Sequence, residues 1–205
     1  MNLLRPAFLA RHLRMAPALI ILSFTLGPDT GHAATAPTPA LLDDFSDPKH
    51  NAHGIDRLLF DDKGVGSQSH ATQQCGHGIL KVAGELVPGR GVPAFISVVS
   101  LLTPDGKPQD LTGYAGVRIC VKNTKGLLSV QVGSADIQNF DYHASAPLAG
   151  RRDEFQELRV PFKDLKRSWS EQVPLNLKSV TSVNLVSFGM AKDTFAYEVK
   201  EIGFY

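Results

Sequence analysis

Apolar residues in this chain recur at every second position, in short runs, and almost nowhere with a helical period. Such runs lie at 79–85, 94–101, 117–122, 127–133, 138–143, 155–160, 180–188 and 195–205. Successive side chains of a strand point to opposite faces, so each run carries one greasy face and one polar face. Turn chemistry punctuates them at Pro88-Gly89, Pro104-Asp105-Gly106, Asn123-Thr124-Lys125-Gly126 and Leu148-Ala149-Gly150. One helical turn is expected near 163–167, directly after Pro161-Phe162. Many short strands at this spacing predict an all-β sandwich or jelly roll, with at most one or two short helical turns.

The alternation also assigns faces. Val117, Ile119 and Val121 oppose Arg118, Cys120 and Lys122, and Leu128, Val130 and Val132 oppose Ser129, Gln131 and Gly133. Phe140 and Tyr142 oppose Asn139, Asp141 and His143, and Leu158, Val160 and Phe162 oppose Glu157 and Arg159. The apolar sets close a core between two sheets. The polar sets then place Arg118, Gln131, Asp141, His143 and Arg159 on an outer sheet surface, as a solvated face or a ligand-binding one.

The N-terminus has the layout of an export signal. Arg5, Arg11 and Arg14 precede an uncharged apolar run from 15 to 26, then small residues through Ala36. Twelve residues are too few to span a bilayer core of about 30 Å. Residues 1–33 are therefore read as a signal peptide cleaved after Ala33, residues 34–40 as a Pro/Ala/Thr tether, and 41–205 as one domain. The reading implies a periplasmic or secreted protein with no transmembrane segment after signal removal. Loss of 1–33 leaves 18 basic and 19 acidic residues out of 21 and 20. With no basic stripe, nucleic acid is excluded as a partner. Outside the cytoplasm Cys75 and Cys120 either join as one disulfide or stay as two separate buried thiols.

Several segments resemble carbohydrate-binding module family 11 and the related complex I intermediate-associated protein 30 family, which share a galactose-binding-like β-sandwich. Leu41-Leu42-Asp43-Asp44-Phe45 resembles their first strand, and residues 62–69 their acidic, glycine-rich segment ending in serine. Residues 80–86 resemble a strand ending in Gly-x-Leu, and Asp110-Leu111-Thr112-Gly113-Tyr114-Ala115-Gly116 their entry into a central strand. Residues 155–162, ending in Pro161-Phe162, and the closing 197–205 complete the set. The likeness spans 41–205. It departs where Val65 separates Gly64 from Gly66, and where Phe155 stands in place of the usual tryptophan.

The resemblance implies a galactose-binding-like jelly roll, and a structural calcium where the first and last strands meet. Asp43, Asp44 and Glu201 occupy those segments, either as Ca²⁺ ligands or as edge charges. No other cofactor is required. His50, His53, His70, His77 and His143 are read as loop histidines rather than transition-metal ligands, and the domain is read as non-catalytic, lacking any nucleophile elbow or phosphate loop. Adjacent carboxylates such as Asp61-Asp62 would point to opposite faces of a strand. The leading expectation is recognition of a polysaccharide or glycan on the polar sheet face or its rim loops. Arg118, Gln131, Asp141, His143 and Arg159 are its hydrogen-bonding groups and Trp169 its aromatic contact. The alternative is a protein-binding assembly or scaffolding factor.

Overall fold

Eleven strands form two antiparallel sheets packed face to face in the computed structural model, which describes residues 40–149 and 153–205. The signal peptide and all of the tether but Ala40 lie outside the described residues, as do Gly150 of one expected turn and Arg151-Arg152. The strands are β1 (Leu41–Asp43), β2 (Leu58–Asp61), β3 (His70–Gly76), β4 (Ile79–Leu86), β5 (Ala94–Leu101) and β6 (Gly116–Lys125). They continue with β7 (Leu128–Ser134), β8 (His143–Ala144), β9 (Gln156–Pro161), β10 (Val180–Gly189) and β11 (Asp193–Phe204). The first sheet runs β3-β4-β11-β6-β9, with β1 also paired to β11, and the second runs β2-β5-β10-β7-β8. The all-β jelly-roll expectation holds. Among the described residues the only helical pieces are two 3-10 turns, 63–65 and 162–164, the second slightly earlier than expected.

The long central strands carry the fold because their inner faces are uninterrupted. Val117, Ile119 and Val121 of β6 and Val199 and Ile202 of β11 meet Leu128, Val130 and Val132 of β7 and Val183 and Leu185 of β10. Each is at most 3% exposed, and burying one such side chain contributes roughly 1.5–3 kcal/mol. Pro161 ends β9 because it has no N–H to give the ladder, and the 162–164 turn follows at once.

The structure bears on three expectations. The 138–143 run is a loop that enters a two-residue β8, and its faces are inverted: Asp141 and His143 are buried while Phe140 is 74% exposed. Cys75 and Cys120 are free thiols. Cys75 pairs with inward-facing Leu80, whereas Cys120 lies on the outer face of β6, three strand spacings or about 14 Å away. Burial raises both thiol pKa values above the ordinary range, weakening them as nucleophiles.

The third concerns Asp43. Its carboxylate is fully buried and receives Arg57 Nε at 2.5 Å and an Arg57 terminal N–H at 2.8 Å, as well as the Phe45 N–H at 2.9 Å. The same guanidinium donates to the carbonyls of Asp47 and His50 and lies 4.9 Å from the Phe45 ring centroid. The cation at Asp43 is therefore an arginine, fastening β1 to the 44–57 loop. Because Arg57→Ala leaves a buried carboxylate uncompensated, it should lower unfolding free energy by about 3–5 kcal/mol in urea titrations. A loss below about 1 kcal/mol, the level of an exposed ion pair, would contradict this placement.

Candidate functional site

The sandwich offers two outer sheet faces and one elaborated end, and charge distribution separates them. On the first sheet, Arg118 and Arg159 are register partners across β6 and β9. Arg118 pairs with Glu201 and, at 3.6 Å, with Glu157, which also meets Arg159 at 3.4 Å. Lys122 meets Glu198 at 2.9 Å, and the Arg159 guanidinium lies 4.9 Å from the Tyr205 ring centroid. Lys122 and Lys200 both lie over Phe155. Arg118 and Arg159 thus sit on an outer face as expected, with Glu201 beside them, but their charges are engaged with Glu201 and Glu157.

The calcium candidates do not converge. Asp43 belongs to Arg57, Glu201 to Arg118, and Asp44 accepts the Ser46 N–H at 3.0 Å and hydroxyl at 2.6 Å. Those two bonds hold the Asp44 carboxyl below the usual carboxylate range. Among the described residues no group of three His, Cys, Asp or Glu side chains is arranged to hold a metal ion. His50 instead bridges Asp47 at 3.1 Å and Asp56 at 3.0 Å.

The second sheet's outer face is of another kind. Because Ile96, Val98, Val183, Leu185, Leu128, Val130 and Val132 face inward, the register puts Ser97, Ser182, Asn184, Ser129 and Gln131 outward. Asn184 faces Gln131 across β7, with Nδ2 to Oε1 at 3.4 Å, and faces Val99 across β5. These short side chains lie low between larger neighbours and are mostly buried, yet Ser129 Oγ and Asn184 Oδ1 have no hydrogen-bond partner. An unmet buried polar group costs on the order of 1–3 kcal/mol, so these two oxygens are unspent polar groups just beneath the surface of this face. At one end of this face Phe188 stands opposite Phe95, and Phe60 stands beside Ser97. Phe60 is 52% and Phe188 36% exposed. Gln131 alone of the expected ligand-binding residues lies on this face, beside Ser129 of the same polar set; Ser97, Ser182, Asn184 and the phenylalanines have no such signature in the sequence.

The far end is built around Asp141. Its carboxylate accepts the backbone N–H groups of Ser168, Trp169 and Ser170 at 2.8, 3.1 and 2.7 Å. Arg167 braces the same corner, donating to the Asp141 carbonyl, the Glu171 carbonyl and Asn139 Oδ1, each at 3.2 Å. His143 lies beneath, its Nε2 2.7 Å from the Val173 carbonyl oxygen. Asp141 and His143 are therefore internal supports. Trp169, 69% exposed, is the aromatic they present.

No family model and no curated protein matches the chain. Solved structures do resemble it. A family 11 carbohydrate-binding module of the cellulosomal cellulase Lic26A-Cel5E of Clostridium thermocellum superposes with a TM-score of 0.58 at 12% identity, covering 82% of this chain and 95% of that one. The family 11 module from Clostridium thermocellum in complex with a beta-1,3-1,4-mixed-linked tetrasaccharide gives 0.58 at 12%, covering 83% and 96%. The agarase AgWH50C gives 0.52 at 9%, covering 80% of this chain but 26% of that one. At such identities the likeness establishes the fold. Among the described residues no helix is long and apolar enough to cross a membrane.

Burial pushes the Asp141 carboxyl up, but the hydrogen bonds from Ser168, Trp169 and Ser170 outweigh it and hold it below its ordinary value. A depressed folded value means the stability it contributes is full above the unfolded carboxylate range near pH 4 and is lost as pH falls through the folded value. Asp141→Asn should cost roughly 2–3 kcal/mol at pH 7 and flatten this acid limb of stability. Chemical denaturation of both proteins from pH 7 down to pH 3 checks it; parallel profiles would contradict the clamp.

Proposed function

We propose that this chain is an exported, non-catalytic carbohydrate-binding module that takes a neutral, extended glycan along the outer face of the β2-β5-β10-β7-β8 sheet. One observation carries the reading: Phe60, Phe95 and Phe188 gather at one end of a sheet face whose polar groups, Ser97, Ser129, Gln131 and Asn184, are uncharged. A sugar ring has apolar C–H faces and a rim of hydroxyls. Aromatic side chains match the first and amide or hydroxyl groups the second. Phe60, Phe95 and Phe188 supply the apolar contact, while Ser97, Ser129, Gln131 and Asn184 supply hydrogen bonds.

The fold shared with modules described as carbohydrate-binding supports this reading by analogy. The opposite sheet is a poorer surface, because a ligand there would have to compete with ion pairs already formed around Arg118 and Arg159. No feature of the described residues or of the similar structures favours the assembly-factor alternative.

A glycan array followed by affinity electrophoresis in the polysaccharides that bind tests the proposal. Phe188→Ala and Asn184→Ala should each weaken retardation roughly tenfold, the equivalent of about 1.4 kcal/mol, while Arg118→Ala and Arg159→Ala leave it unchanged. Loss of binding in the two arginine variants, with retention in the other two, would move the site to the opposite sheet.

A further inference from the structure

Phe140 and Trp169 are among the most exposed large apolar side chains of the described residues, at 74% and 69%, and they stand on two loops tied to each other. Asn139 Nδ2 donates to Ser170 Oγ at 2.9 Å, and the Asp141 carboxylate accepts the Ser168 N–H at 2.8 Å. These bonds, with the Trp169 N–H also given to the Asp141 carboxylate at 3.1 Å, fasten the 139–141 and 168–170 segments together, so Phe140 and Trp169 share one tip, where Phe140 also meets Tyr142 edge-on at 6.3 Å. Neither side chain is there for the core. Phe140 also has a φ of +60°, a left-handed conformation that costs a bulky residue about 1 kcal/mol or more and that glycine would adopt freely. An exposed aromatic in a strained conformation, over loops locked by a buried carboxylate and a braced arginine, gives folding a cost without a burial gain.

The geometry points to this tip as a second sugar contact, separate from the sheet face, in which Phe140 and Trp169 take the apolar faces of a neutral pyranose chain. The inference rests on the proposed glycan-binding function. Polar groups flank both rings: the Asn139 amide and the Ser170 hydroxyl lie beside them, as a sugar's alternation of C–H and hydroxyl requires. Arg167 is turned inward onto Asp141, Asn139 and Glu171, which suits a neutral ligand better than an anionic surface. The tip leaves the sandwich where β7 ends and β10 begins. Phe95 and Phe188 lie at the other end of β10, roughly 27 Å from Val180 at about 3.4 Å per residue.

Trp169 is the only tryptophan of the chain, so its emission reports on the tip directly. The full chain is titrated with β-1,3-1,4-glucan, xyloglucan, galactomannan and agaro-oligosaccharides, with affinity electrophoresis run in parallel. In whichever of these retards the protein, Trp169 emission should shift to shorter wavelength and acrylamide quenching should fall. Trp169→Ala and Phe140→Gly should each weaken retardation roughly tenfold, with no loss of Tm in Phe140→Gly. Retardation with unchanged tryptophan emission and undiminished binding by both variants would overturn the tip site and leave the sheet-face reading standing. Absence of retardation in every polysaccharide would overturn both.

Discussion

The dry layer between the two sheets sets where every other group can go. Once Val117, Ile119 and Val121 meet Leu128, Val130 and Val132 across it, strand geometry sends Arg118 and Cys120 to one outer wall and Ser129 and Gln131 to the other. A slip of one residue in any of these strands would turn hydroxyls and charges into the core and expose the aliphatic set, so the register is strongly specified. The outer walls are therefore consequences of the inner one. They differ because their polar residues differ in reach. Arginine, lysine and glutamate on the first sheet are long enough to find one another. Serine and asparagine on the second are too short to do so, and two of their oxygens remain without partners.

That difference decides which wall can bind. Part-buried ion pairs such as Lys122–Glu198 cover the first face with charges that already have partners, although Arg118 Nε itself makes no hydrogen bond. The second face carries little charge, and its polar groups sit among Phe60, Phe95, Val99 and Phe188. Buried ionic groups elsewhere serve structure. Asp43 and Arg57 fasten the first strand, Asp62 gathers the Ser69 and Phe95 N–H groups, and Asp141 secures the tip.

Much of the architecture was legible because alternation is a local signal. The run at 94–101 coincides with β5, and the 180–188 run falls one residue short of β10. Strand β3 was missed because its sequence, HATQQCG, is a mostly exposed edge with no greasy side, and β2 because four residues cannot display a period. The 138–143 segment shows the limit of the signal. Alternation reveals two faces but not which is inside, and a carboxylate with three N–H donors can be buried in place of an aromatic ring. Asp43 misled for a related reason: its cation, Arg57, lies fourteen residues along the chain, and nothing local announces the pairing. The binding face could have been found from Ser182, Asn184 and Val186, which alternate against Val183 and Leu185. Short polar side chains carry no signature of their own until a sheet gathers them.

The central claim is that the glycan-facing wall is the sheet built around β10. Amide chemical-shift mapping of the isotopically labelled chain, titrated with a polysaccharide that retards it, tests this most directly. The account predicts that the largest perturbations fall on Ser97, Ser129, Gln131, Asn184 and Phe188, with Arg118, Glu157, Arg159 and Glu201 unmoved. Perturbations centred on the latter four, with the β10 face silent, would contradict it.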